Sequence, residues 1–321
     1  MRSVKGLFLA TLGSVVAALP MGFSARAAEP TTLTIFAAGT LAVPFRQIDK
    51  LFEKKYPDIK VEAQFGGSVK MTKQITELHK QADLLAVADY SVIPKYMFAQ
   101  PAHATWYVGI ARNAITFTFT DKSKGAKKIN SKNWYKVLAE KGVEIGRSNP
   151  DTDPSGYQTV QMLNLANQYY KDPNLEKSVL ANAPLSNMRD TETSLISALQ
   201  LGQIDYLAIY RSDALQHHLK YVNLPAKINL SNPAYAGDYK KGVAHTKNGT
   251  LTGKPIVYAM TIVKGAQHAD AAKKFVAFVL GPQGQGVMKK DGFGSFKPAF
   301  AMHKSEMPAA LRKMVKPWPG S

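Results

Sequence analysis

Beyond residue 30 the apolar positions fall alternately into short continuous runs and into sets spaced three and four apart, which predicts strands and helices in turn. "TTLTIFAAG" (31–39) reads as a buried strand, and "PFRQIDKLFEKKYP" (44–57) as a helix whose apolar face carries Phe45, Ile48, Leu51 and Phe52. Pro44 suits its first turn and Pro57 lies beyond its end. "IKVEAQF" alternates like a strand. "GGSVKMTKQITELHKQ" gives a second helix, with Ser68 as its expected cap and Val69, Thr72, Ile75 and Leu78 at helical spacing; "ADLLAVAD" is a further apolar strand. Strand, helix, strand, helix, strand is the order of a parallel sheet with crossover helices.

The pattern restarts near Ala114. Strand-like "AITFTFT", a helix around "WYKVLAEKG", strand-like "VEIGRS", the turn "NPDTDPSG", the helices "YQTVQMLNLANQYY" and "TETSLISALQLGQ", and the strand "IDYLAIYRS" form a second α/β unit. A long polar connection (223–254) with an Asn248-Gly249 turn leads to the strand "PIVYAMTIV" and the helix "HADAAKKFVAFVLG". The last stretch is expected to pack back on the first unit. The expected organisation is one discontinuous lobe of 28–113 plus 260–321 and a second lobe of 114–259.

The first 27 residues stand apart from this pattern. A basic start (Arg2, Lys5), an apolar stretch from Leu7 to about Leu19, and Ala25 and Ala27 before the expected cut read as a secretory signal peptide. The apolar stretch is shorter than the ~20 residues a spanning helix needs. The chain has no cysteine, so neither a lipid-bearing Cys nor a disulfide framework is available, and a soluble periplasmic protein fits best. Losing Arg2, Lys5 and Arg26 with the signal takes three from the formal +18 of the 321 residues and leaves about +15, which favours anionic partners. The lysine pairs are scattered rather than gathered with aromatics, so no nucleic acid is expected.

Candidate chemistry lies where strands run into helices, since there the free N–H groups of helix N-termini favour negative charge. Thr40, Ser68 and the "DTDPSG" turn all sit at such junctions, in turns opened by Gly39, Gly66-Gly67 and Gly156. Taken singly, Thr40 and Ser68 read as helix N-caps and "DPSG" as a turn; three at corresponding junctions of two units point to an oxyanion site. A fully ionised oxyanion wants donors only, whereas one that keeps a proton also needs a carboxylate to accept it. His217-His218 lack further ligands at metal spacing and read as surface, "GPQGQG" and "DGFGSF" read as turns, and no G-x-S-x-G elbow points to a hydrolase.

"TIFAAGTLAVPF", "GGSVKMTKQITELHKQADLLAVADYSVIPKYM", "DPSGYQ", "DYLAIYRSDALQHH" and "GKPIVYAMTIVK", in that order, resemble the archaeal-type tungstate/molybdate-binding proteins of ABC importers over nearly all of the mature chain. The resemblance implies an α/β, two-lobed periplasmic binding protein (type II), each lobe a mixed, mostly parallel sheet flanked by helices. It implies a monomer that closes on molybdate or tungstate and delivers it to an ABC permease, with no cofactor and no enzymatic step. Carried over by position, it puts Gly39, Thr40 (for the usual Ser) and Ser68 at the oxyanion from one lobe. From the other come Asp153, Pro154 and Ser155 and the phenol of Tyr258; Ile209 resembles instead the aliphatic residue whose backbone N–H the bacterial molybdate-binding proteins use.

The family usually has a Glu where this chain has Ile209. The expectation is therefore a four-coordinate oxyanion held by hydrogen bonds, because the second carboxylate needed for six-fold coordination of the metal centre is missing. Three roles stay open for Asp153: capping the helix that follows, ligating the Mo or W of the oxyanion, or accepting a proton from a phosphate-like solute. Sulfate or phosphate is the alternative cargo, and a periplasmic enzyme a more distant one.

Overall fold

The computed structural model describes residues 29–319 together with Met1; the expected signal peptide lies outside the described residues. In chain order the first elements are β1 (Thr31–Ala38), α1 (Ala42–Lys55), β2 (Ile59–Gly66), α2 (Ser68–Thr76) and β3 (Leu84–Val87). They are followed by β4 (Tyr107–Arg112), β5 (Ile115–Phe119), β6 (Ile145–Ser148), α3 (Pro154–Tyr170), β7 (Tyr206–Tyr210) and α4 (Arg211–Gln216). The chain ends through β8 (Val257–Ile262), α5 (Ala269–Leu280), α6 (Pro282–Lys290), β9 (Ala299–Met302) and β10 (Val315–Pro317).

Two sheets organise these elements. The larger has seven strands in the order β10-β9-β4-β8-β3-β1-β2, with β1 parallel to β2 and β3, and β8 antiparallel to both β3 and β4. The smaller has five, in the order Met188–Arg189, β6, β7, β5, Lys220–Tyr221, with β6 parallel to β7 and β5 antiparallel to it. The carboxyl ends of the parallel strands β1, β2, β3 and β6 thus open toward turns and helix starts, as in other open α/β sheets. α1 lays Phe45 and Phe52 edge-on against Phe275 of α5, at 5.8 and 5.1 Å between ring centres. In the other half Phe117 stacks on Trp134 at 5.6 Å.

β4 passes into β5 through only Asn113 and Ala114, so one extended stretch belongs to both sheets. The return crossing lies beside it, the Asn113 N–H donating to the Ile256 carbonyl at 3.3 Å. β8 lies wholly in the seven-stranded sheet, so the boundary expected at 259/260 falls inside a strand, and Tyr258 belongs with the first half rather than the second.

Other differences are local. β4 was not anticipated as a strand. "GPQGQG" does not merely end a helix: Pro282 at the first turn starts α6. "TETSLISALQLGQ" is a 3-10 turn, Glu192–Leu195, leading into a short helix, Ile196–Leu201. The polar connection holds a hairpin, Val243–Thr246 with Gly249–Thr252, whose turn needs the positive φ (106°) of Gly249. No helix among the described residues is long and apolar enough to cross a membrane.

Candidate functional site

Neither hydroxyl of the first half is spent on capping. Gly67 takes the N-cap position of α2, which places Ser68 inside the helix; its Oγ instead accepts the N–H of Ala88, just past β3, at 3.0 Å. Thr40 sits in a 3-10 turn, Gly39–Leu41, that has no side-chain cap, and its Oγ1 donates to the phenol oxygen of Tyr258 at 2.9 Å. The same phenol oxygen accepts Asn113 Nδ2 at 3.3 Å. With its acceptor positions occupied, the Tyr258 hydroxyl has its own proton left to give. Asn113, at the crossing between the sheets, also holds Ser212 Oγ at 2.8 Å, so one side chain ties this phenol to the start of α4.

From the second half, Asp153 caps α3, accepting the N–H of Ser155 at 3.2 Å, with Pro154 at the first turn. It does more than cap. Glu192, Ser148 and the backbone N–H of Ser68, which comes from the other sheet, lie around its carboxyl. Burial pushes Asp153 up to about 6, and these polar neighbours pull the other way. Glu192 is held well above the usual carboxylate range, by burial first and then by the neighbouring Asp153 and Asp213. Asp213 is raised too, chiefly by burial.

Thr40, Ser68, Asp153, Ser155, Glu192 and Tyr258 are each at most 3% exposed. Ser148 Oγ, Ser155 Oγ and Glu192 Oε1 have no hydrogen-bond partner among the described residues. A buried polar atom left unpaired costs about 1–3 kcal/mol, so three of them beside one carboxyl mark a place built for something else to pair with. Among the described residues no group of three or more His, Cys, Asp and Glu side chains is arranged to hold a metal ion.

The two halves touch around this site. Gly67 lies so close to the Thr152 and Asp190 carbonyls that a Cβ would sit 2.5 and 2.9 Å from them. Beside it the Lys70 N–H donates to Thr152 O at 3.3 Å, and the Lys70 ammonium pairs with Asp190. Gly39 is half-buried against Thr193, whose Oγ1 would be 3.1 Å from an added Cβ.

The structure joins several of the expected residues in pairs: Thr40 bonds Tyr258, the Ser68 N–H lies at the Asp153 carboxyl beside Pro154 and Ser155, and Gly39 lies against Thr193. The Ile209 side chain packs into an apolar cluster with Leu195, Ile196, Leu199, Ile204 and Leu207. That cluster lies under the 3-10 turn bearing Glu192. Ile209 brings no carboxylate to Asp153, but Glu192 lies beside it from another element. Glu192, Ser148 and Asn113 were not anticipated; an acidic residue in "TETSL" reads as an exposed helix position, and no spacing links it to Asp153.

Comparison with known proteins gives a consistent result. The family of bacterial extracellular solute-binding proteins matches residues 33–294. A solute-binding protein of Petrotoga mobilis is 39% identical over 88% of this chain and 90% of its own. The molybdate/tungstate-binding protein WtpA of Pyrococcus abyssi is 34% identical over 97% of this chain and 98% of its own. Among solved structures, the periplasmic molybdate-binding protein of Azotobacter vinelandii superposes with a TM-score of 0.61 at 18% identity, over 83% of this chain and all of that one. With two sheets joined by adjacent crossings and these matches over most of its length, the chain is a member of the bacterial extracellular solute-binding protein family.

Proposed function

We propose that this protein captures molybdate or tungstate between its two lobes, the first built on 28–113 with the C-terminal segments and the second on the residues between. It works as a monomer in the periplasm, passes the oxyanion to the permease of an ABC importer, and performs no chemistry on it. The relationship to the Pyrococcus protein, whose name states that cargo, supports this reading over nearly the full chain.

The observation that carries it is the neighbouring pair of buried carboxyls, Asp153 and Glu192, with N–H and hydroxyl groups from both halves around them and no cation paired with them among the described residues. Donors alone suit any dianion. Two carboxyls do not, since any of them that ionises repels a dianion by several kcal/mol at a few ångströms. A Mo(VI) or W(VI) centre resolves the conflict because it accepts further oxygen ligands, which the sulfur of sulfate does not. With Glu192 beside Asp153, six oxygens around the metal centre replace the four expected from Ile209. Ser68, Ser148, Ser155, the Tyr258 phenol and the turn at Gly39-Thr40 donate to the oxo groups.

Hydrogenphosphate is a second reading with its own support, since a carboxylate such as Asp153 can accept its proton. Calorimetric titration of the mature protein with molybdate, tungstate, sulfate and phosphate tests both. Tight binding of the first two and weak binding of sulfate is expected; binding to phosphate alone overturns the cargo assignment.

A further inference from the structure

The binding residues just described are shut away from solvent, so a solute has to reach them through an opening, and the molecule has a polar chamber in the right place. A cleft of about 360 Å³ runs between the halves, walled by Gly39 and Arg46 on one side and by Thr191, Thr193 and Ser194 on the other, with Asp213 also in its lining. Its walls are continuous with those of the buried site: Gly39 precedes Thr40, and Thr191 precedes Glu192.

Two features give this chamber a preference of its own. Arg46 is exposed, stands over the face of Phe65 at 6.0 Å, and has no carboxylate within ion-pair distance among the described residues. An unspent guanidinium held against a ring is a fixed positive charge, and it presents paired N–H donors suited to oxyanions. Opposite it, Thr191 Oγ1 is linked to Thr193 Oγ1 at 3.0 Å and to Ser194 Oγ at 2.9 Å, a row of hydroxyls that can turn to donate. Asp213 is the one acid on the wall, and burial raises it well above the usual carboxylate range.

We propose that this chamber is an antechamber where a hydrated oxyanion pauses, drawn by Arg46 and handed inward along the Thr191–Ser194 hydroxyls. The proposal rests on the oxyanion-binding reading above and adds a second, outer station to it. Arg46 acts on capture, not on the final grip: the oxyanion keeps its charge and leaves the guanidinium behind when it moves to the inner donors.

Filter-binding with radiolabelled molybdate, giving association and dissociation rates for wild type, Arg46→Gln and Arg46→Lys at low and high ionic strength, tests it. At low ionic strength Arg46→Gln should associate about three- to tenfold more slowly, with dissociation unchanged, because a steering charge acts on encounter. Arg46→Lys should keep most of the wild-type rate, and the deficit of the Gln variant should shrink at high ionic strength. If wild type binds and Arg46→Gln associates at the wild-type rate in every condition, the antechamber is wrong and the cargo reading stands. If wild type binds no molybdate, that reading falls and takes the antechamber with it.

Discussion

Glu192 meets Asp153 carboxyl to carboxyl in a place closed to water, the one from a 3-10 turn and the other from the cap of α3. Replacing Glu192 by Gln keeps the size and polarity of the side chain beside Asp153 but removes a carboxylate from the cargo. Affinity for molybdate and tungstate should fall by about 1.5–3 kcal/mol, the worth of a hydrogen-bonded charged contact, while any sulfate binding stays the same or improves. Calorimetry on the variant checks both; equal losses for all three anions would remove Glu192 from the discrimination.

Ser68→Ala strips a donor from the cargo and also orphans the Ala88 N–H, which the Ser68 hydroxyl otherwise receives. Affinity should drop by about 1–3 kcal/mol and the unliganded protein should lose about 1 kcal/mol of stability. Denaturant unfolding without solute separates the second effect from the first.

Tyr258→Phe leaves both Thr40 Oγ1 and Asn113 Nδ2 without their shared acceptor. The expected cost is about 1–3 kcal/mol of stability, together with weaker oxyanion binding. Retained affinity in a destabilised variant would confine the phenol to a structural part at the crossing.

How much of this was readable beforehand depends on the range of each interaction. The strands and helices from Thr31 to Val87 were legible because their periodicity is local, and so were Thr40 and Ser68 at their junctions. What those hydroxyls do was not. Their expected capping role fails because Gly67 takes the cap and Tyr258, far along the chain, takes the Thr40 proton. Glu192 stayed hidden for the same reason: Ile209 and Leu195, on different elements, pack together beneath its turn, and only the folded chain brings it to Asp153. Tyr258 was assigned to the wrong half because "PIVYAMTIV" says strand without saying which sheet it joins.

Asp49 offers a pH test remote from the cargo. It lies in α1, its Oδ1 is buried without a partner among the described residues, and burial, aided by Glu53, lifts it to about 7. The folded chain therefore holds this proton more tightly than the unfolded one. Its contribution to stability is greatest in acid and is lost as pH rises from about 4 through about 7. Urea unfolding across that window should show the decline in wild type and a flatter profile in Asp49→Asn, which should be about 1–3 kcal/mol more stable at mildly alkaline pH. Parallel profiles would mean that Asp49 is solvated.

At Gly67 the halves meet main chain to main chain, with the Thr152 and Asp190 carbonyls where a side chain would otherwise stand. Such a stop has no rotamers to adjust, so it fixes how near the two halves can come at this point. A caliper set by main chain in this way would leave bonds unmade to a guest that is too narrow and could not yield to one that is too wide.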